Sequence, residues 1–129
     1  STLGPVAVAP LPPTPKITEI SCLGPGDYVP FVNGWEQANC PVEVSANDFY
    51  ATVFVKGENL TKDWLIKAVK GAYYNNSAEI ETTIGDIYEF EGGVIAVDFN
   101  FSAVFAVGDT SKFEIDGVQS AWMPLYKAN

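Results

Sequence analysis

The chain has 129 residues, a net charge of −9 and neither histidine nor arginine. Its acidity argues against a nucleic acid partner, because nucleic acids bind basic surfaces. The lack of histidine excludes Ser-His-Asp triads, Cys-His dyads and the usual zinc sites. Hydrophobic residues make up 47% of the sequence, which is enough for one folded domain. We expect no catalytic residue, no metal and no cofactor. We also expect no membrane insertion, since no apolar run is long enough to span a bilayer.

The first fifteen residues are uncharged and contain five prolines. The prolines favour an extended path and exclude a helix. They surround a short apolar stretch that is able to pair as a strand, formed by Val6, Ala7, Val8, Ala9 and Leu11. We therefore predict an extended arm over residues 1–15, ahead of a single β-sandwich domain over residues 16–129. The arm forms a loose tail, folds onto its own sheet as a first strand, or inserts as a joining strand into the open sheet edge of a neighbouring copy.

Alternating apolar and polar residues predict the first strands of the domain. Residues 16–23 form one strand, and a turn at residues 24–27 ends it. An aromatic loop or small hairpin follows over residues 28–39, and a short strand follows over residues 41–45. Residues 49–56 then form a clear strand, whose apolar face consists of Phe49, Ala51, Val53 and Val55.

Two cysteines, Cys22 and Cys40, flank the aromatic loop. They form either a structural disulfide or a metal or redox pair. No further soft ligand completes a zinc site, so the sequence favours a disulfide. A disulfide indicates an oxidising compartment, and we therefore expect an extracellular or cell-surface protein from which any secretion signal has been removed.

Residues 60–72 fit two kinds of secondary structure. Trp64, Leu65 and Ala68 have helical spacing, with Thr61 placed as an N-cap and Gly71 placed to end the helix. The same residues also fit a strand. We favour a short strand, or a one-turn helix that leads into a strand.

The second half of the chain continues with strands separated by turns. We predict strands at residues 79–84 and 87–91, broken by Gly85 and Asp86. Two more follow at residues 112–116 and 118–127, joined by a turn at Asp116 and Gly117. Pro124 places the last strand at a sheet edge or a bulge.

The longest predicted strand is at residues 94–107, where every second residue is apolar. So long a strand must bend, divide near residues 100–103, or extend from one subunit into another. If a neighbouring arm inserts beside it, we expect the acceptor groove to be lined by Ile95, Val97, Phe99, Phe101 and Phe105.

Together these elements predict an all-β fold, an antiparallel immunoglobulin-like sandwich of the Greek-key or jelly-roll type with an extended N-terminal arm. Residues 15–21 (PKITEIS) and 51–60 (ATVFVKGENL) resemble the opening strand and the strand–turn of IPT/TIG-type immunoglobulin-like modules. The glycine-rich link of that family is replaced here by the Cys22–Cys40 loop. The resemblance implies an extracellular, non-catalytic module. The uncharged arm is similar to the arms of filament subunits that assemble by donor-strand exchange.

Three further groups of residues are candidates for surface roles. Nine of the sixteen acidic residues lie from Glu79 to Asp116, and their alternation favours a solvated strand face over a calcium site. Three N-x-Ser/Thr sequons offer glycosylation sites, at Asn59, Asn75 and Asn100. Planar aromatic side chains stack on sugars or partner surfaces, and an alternative ligand face consists of Tyr28, Trp35, Tyr73 and Tyr74.

The sequence therefore favours a structural subunit of an extracellular, pilus-like filament, which polymerises head-to-tail with itself by β-strand addition of the arm. An extracellular module that binds a glycan or a surface receptor is the alternative. A viral capsid decoration protein on the same sandwich is a third interpretation.

Overall fold

The computed structural model describes residues 11, 13–27, 42–44, 50–101 and 109–127. Almost all of the regular structure in these ranges is β-strand, as the alternating sequence predicts. The elements are β1 (Lys16–Ser21), β2 (Val42–Val44), β3 (Tyr50–Glu58), α1 (Lys62–Lys67), β4 (Lys70–Tyr74), β5 (Glu79–Ile80), β6 (Thr82–Glu89), β7 (Ile95–Phe101), β8 (Thr110–Ile115), β9 (Val118–Gln119) and β10 (Met123–Lys127).

The strands form two sheets that share β10. The first sheet has the order β2-β3-β7-β6, with β1 beside the C-terminal half of β3. The second has the order β5-β4-β8, with β9 also paired to β8. β10 crosses between them, because Met123 and Pro124 pair with β8 whereas Leu125 begins a parallel pairing with β2. Pro124 thus lies where the strand leaves one sheet. The predicted all-β, immunoglobulin-like sandwich is confirmed, with this one parallel pair among the described antiparallel ones.

The core lies between the two sheets. The ring centroids of Phe99 in β7 and Phe113 in β8 are 4.8 Å apart, at an interplanar angle of 52°, so these two side chains join the sheets directly. Ala51, Val53 and Val55, from the predicted apolar face of β3, point into the same core and are buried, whereas Phe49 lies outside the described residues. Besides Phe99 and Phe113, the largest fully buried side chains of the described residues are Leu65, Ile115, Leu125, Val53, Val55 and Val97.

A β-bulge in β1 changes the predicted faces of that strand. Strict alternation would place Ile17 and Ile20 on opposite faces. The pairing with β3 instead shifts between Ile17 and Glu19, and both isoleucines are buried, at 6% and 5% exposure. The extra residue of the bulge is what brings two apolar side chains of unequal parity onto the core face.

The region between β3 and β4 is a one-turn helix that leads into a strand, which confirms that prediction. Thr61 is the N-cap of α1, and its hydroxyl oxygen accepts a hydrogen bond from the Trp64 backbone N–H at 3.1 Å. The helix ends at Ala68, so the expectation that Gly71 ends it was wrong, and Gly71 lies within β4. No helix in the described ranges is long and apolar enough to cross a membrane.

Turns and bulges also connect the later strands. Asp116 and Gly117 have φ values of 52° and 77° between the paired residues Ile115 and Val118, which is a two-residue type I′ hairpin. Gly85 does not break its strand as predicted. It lies in a bulge of the continuous β6, where the pairing with β7 shifts between Ile84 and Ile87.

Candidate functional site

A groove of about 360 Å³ runs along one edge of the sandwich. Residues 18–21 of β1 form one wall, and residues 118–123, from β9 to the start of β10, form the other. Among the described residues β1 pairs only with β3, so its second edge faces this groove. An unpaired strand edge presents a row of backbone N–H and C=O groups that an added strand is able to bond.

The chain ahead of β1 packs against the residues that follow β3. Pro13 and Pro15 line a cleft of about 520 Å³ together with Leu60 and Trp64, beside the connection from β3 to α1. The Asn59 side-chain amide donates a hydrogen bond to the Thr14 carbonyl oxygen at 3.3 Å. These contacts hold residues 13–15 against the sandwich.

Only the end of the predicted joining strand can be located. Leu11 is 89% exposed. Val6, Ala7, Val8 and Ala9 lie outside the described residues. The placement of the joining strand therefore stays a prediction.

An aromatic face with a lysine at its centre lies on the outer side of the second sheet. The Lys112 ammonium is 4.6 Å from the ring centroid of Tyr73 and 5.1 Å from that of Trp122. Both distances are typical of cation–π contacts. Next to them the Gln119 amide donates to the Glu114 carboxylate at 2.8 Å. Desolvation, followed by the charges of Glu114 and Glu79, raises the pKa of Tyr73. The arrangement offers ring faces beside hydrogen-bonding groups.

The predicted ligand face of four aromatic residues is not assembled as expected. Tyr28 and Trp35 lie outside the described residues. Tyr73 and Tyr74 are neighbours in β4 and therefore point to opposite faces of the sheet. Tyr74 packs against the core, and its hydroxyl donates to the Asp109 carboxylate. Tyr73 therefore shares its face with Trp122 rather than with Tyr74.

The environment of Tyr74 predicts a stability change at high pH. Desolvation, together with the hydrogen bond and the charge of Asp109, raises the pKa of Tyr74 to about 12. The folded state therefore holds this proton more tightly than the unfolded state, where the pKa is about 10. The stabilising contribution is complete below pH ~10 and is lost as pH rises towards ~12. In urea unfolding, the free-energy difference between wild type and Tyr74→Phe should shrink across that window. A constant difference would show that the hydroxyl does not titrate in this way.

The predicted acceptor residues of β7 are part of the filled core. Ile95, Val97 and Phe99 are buried, and β7 pairs with β3 on one edge and β6 on the other. In the described ranges they therefore line no open groove, because a strand paired on both sides has no free edge to offer. Phe101 is the last residue of β7. Phe105 lies outside the described residues, as does any continuation of the long strand.

The proposed disulfide can be followed at one of its two cysteines. Cys22 is buried and belongs to the core cluster next to the end of β1. Cys40 lies outside the described residues, so the pairing stays a prediction.

The three sequons differ in their surroundings. Asn59 is exposed, with a positive φ at the end of β3. Asn75 is exposed too, but its side chain donates to Asp109 at 3.0 Å and accepts from the Thr110 N–H at 2.8 Å. Asn100 is paired on both sides within β7. Asn59 and Asn75 are thus more exposed than Asn100, and glycosylation stays a prediction.

Asp98 is a buried carboxyl group on the outer face of the first sheet, at 7% exposure. It accepts a hydrogen bond from the Thr52 hydroxyl at 2.6 Å, which links β7 to β3. Desolvation raises the pKa of Asp98, the Thr52 bond opposes this rise, and the charge of Asp86 adds to it. Within the described ranges, no three His, Cys, Asp or Glu residues come together as metal ligands.

The sequence analysis missed the groove beside β1 and the pairing of Lys112 with Trp122. The turn at Asp116 and Gly117 was predicted correctly. The register of a two-residue hairpin indicates which residues of the two flanking strands lie opposite each other. It places Gln119 opposite Glu114, so the residues beyond β9 return along the edge of β8, towards the pairing of Met123 with Ser111. The alternation of β8 by itself shows only that Lys112 points outward.

Comparison with known proteins identifies no family. No protein family model matches the chain, and no curated protein matches it. Among solved structures it is similar to the "Crystal structure of the Lin-41 filamin domain", at 14% sequence identity. The match covers 65% of this chain and 82% of that one, with a TM-score of 0.34. So low a score supports no conclusion about function, and the fold assignment therefore rests on the strand pairing described above.

Proposed function

We propose that this chain is a non-catalytic structural subunit of an extracellular filament, and that it polymerises by β-strand addition of its N-terminal arm to a neighbouring copy. The observation that carries the proposal is the exposure of the arm at Leu11. This residue lies within the fifteen uncharged residues ahead of β1 and is 89% exposed. An uncharged, strand-competent segment is suited to pairing with the sheet edge of a partner.

The expected energetics favour a lasting joint. Each backbone hydrogen bond of an added strand contributes about 1 kcal/mol net. Apolar burial adds about 25 cal/mol for every Å² removed from water. A strand of roughly six residues therefore has enough interactions to offset the entropy of ordering the arm and to stabilise a polymer.

Deletion of residues 1–13 is expected to abolish assembly. The deletion removes none of the described core residues, so the sandwich should keep its circular dichroism spectrum and its cooperative unfolding. Negative-stain electron microscopy and size exclusion should show filaments or large oligomers for the full chain and monomers for the deletion variant. Monomers from both proteins would contradict the filament proposal.

A binding module is the second candidate, and a specific observation favours it. The ring faces of Tyr73 and Trp122 flank Lys112 beside a hydrogen-bonded Glu114–Gln119 pair, which is the kind of surface on which sugars stack and hydrogen-bond. A monomeric full chain that binds a glycan array through this face would favour that function over polymerisation.

A further inference from the structure

We infer that the groove between β1 and residues 118–123 is the acceptor for the arm, and that its occupant is residues 6–11 of a second copy of this chain. The inference rests on the proposed function, for which it names the receiving surface. The groove has the shape this role needs, because two stretches of chain run along its length and one of them is a strand edge unpaired within the described ranges.

The hydroxyl groups that line the groove are already hydrogen-bonded, whereas the second edge of the β1 backbone has no strand partner within the described ranges. The Ser21 hydroxyl accepts a hydrogen bond from the Leu23 N–H, and the Ser120 hydroxyl bonds to the Phe113 N–H and the Ala121 carbonyl oxygen. These side chains are already satisfied. An added strand would therefore be held by main-chain pairing to β1, which is the mode of recognition in β-augmentation.

The charge of the groove suits an uncharged segment. Glu19 is the one charged residue among the described residues that line it, and the arm carries no charged side chain at all. Burying such an arm requires little desolvation of charge. A lysine- or glutamate-rich peptide would lose far more solvation in the same place.

The path of the chain favours a second copy over the arm's own domain. Pro13 and Pro15 line a cleft with Leu60 and Trp64, next to the end of β1 where Lys16 pairs with Glu58. The groove begins further along β1, at residues 18–21. To enter its own groove the arm would have to reverse along β1 within a proline-rich stretch that favours an extended path. A neighbouring copy imposes no such reversal.

The alternation of side chains along the N-terminal arm decides which of its residues to substitute first. In an added strand Val6 and Val8 point to one side, while Ala7, Ala9 and Leu11 point to the other. We assign the two valines to the groove, which leaves Leu11 outward, as it is in the structure. In the full chain, Val8→Asp should raise the critical concentration for assembly about tenfold or more, because it buries an unpaired charge. Ala9→Asp, the matched control, should change it by less than about threefold.

The groove side has its own matched pair of exposed alanines. Ala121 lines the groove, whereas Ala78 lies in the turn between β4 and β5. Ala121→Asp should raise the critical concentration about tenfold while leaving thermal unfolding of the monomer unchanged. Ala78→Asp should leave both unchanged. Equal effects at the two alanines would overturn the assignment of the groove.

Photo-crosslinking localises the contact directly. A benzophenone amino acid replaces Val6, which is assigned to the groove, in the full chain, and isotopically light and heavy copies are mixed before assembly and irradiation. Light–heavy crosslinks that map to residues 18–21 or 118–123 are the expected result. Assemblies crosslinked elsewhere would overturn the groove while leaving the filament proposal intact. Crosslinks within single copies would overturn the choice of a second copy. A full chain that stays monomeric at every concentration would overturn both proposals.

Discussion

Replacing Phe99 with alanine is expected to lower the free energy of unfolding of the monomer by about 3–5 kcal/mol, the usual cost of removing a buried phenylalanine ring. Phe99 is fully buried, and its ring centroid lies 4.8 Å from that of Phe113 in the other sheet. The truncation therefore leaves a cavity between the sheets. At roughly 3–4 °C for each kcal/mol, the melting temperature should fall by about 10–20 °C.

The control for this variant is a phenylalanine that lies outside the core, directly after β6. Phe90 is 42% exposed, and its ring centroid is 6.3 Å from that of Phe54. Phe90→Ala should cost clearly less, about 1–2 kcal/mol, because a large part of the side chain already contacts water. Urea unfolding of both variants at monomer concentrations makes the comparison.

The same pair of variants distinguishes the core role of Phe99 from the acceptor role that its sequence pattern had indicated. Truncation of a residue that receives a neighbour's strand would weaken assembly and leave the monomer nearly as stable as before. Truncation of a core residue would destabilise the monomer itself. Wild-type stability of a Phe99→Ala monomer would therefore contradict the packing described here.

Local sequence patterns predicted most strands because each needs only the period of two within one segment. The faces of β3, the capping role of Thr61 and the turn at Asp116 and Gly117 all follow from neighbouring residues. The bulge in β1 does not follow from neighbouring residues, since the same sequence allows Ile17 and Ile20 to lie on opposite faces. It is decided by pairing with β3, which is a long-range interaction.

The candidate site was harder to predict for the same reason. The groove exists because β1 and the segment after β9 end up side by side, although they belong to different sheets. Likewise Lys112 lies over Tyr73 and Trp122 because β4 and β10 both pair with β8. Period and composition place each residue on a face of its strand. They do not say which strands become neighbours.

A methyl group added at Gly57 is expected to be almost as damaging as the loss of a core ring. A Cβ atom at Gly57 would lie 2.0 Å from the Lys16 carbonyl oxygen and 3.0 Å from the Ile17 Cα atom. Both are backbone atoms of β1, so relief requires the strand itself to move. Ile17 and Ile20 would then lose burial together. We expect Gly57→Ala to lower the free energy of unfolding by about 3 kcal/mol, at the upper end of what overpacking usually costs.

Gly85→Ala is the matched control, because the same methyl group meets only movable atoms there. The nearest atoms to a Cβ at Gly85 belong to the Asn100 side chain, at 3.3 and 3.4 Å, and that side chain is able to rotate away. We expect a cost below about 1 kcal/mol for this variant. Hydrogen exchange should show faster exchange of the β1 amides in Gly57→Ala and unchanged exchange in Gly85→Ala. Because β1 forms one wall of the groove, Gly57→Ala should also weaken assembly, whereas Gly85→Ala should not. Equal losses of stability in the two variants would mean that β1 does not approach β3 as closely as the structure shows.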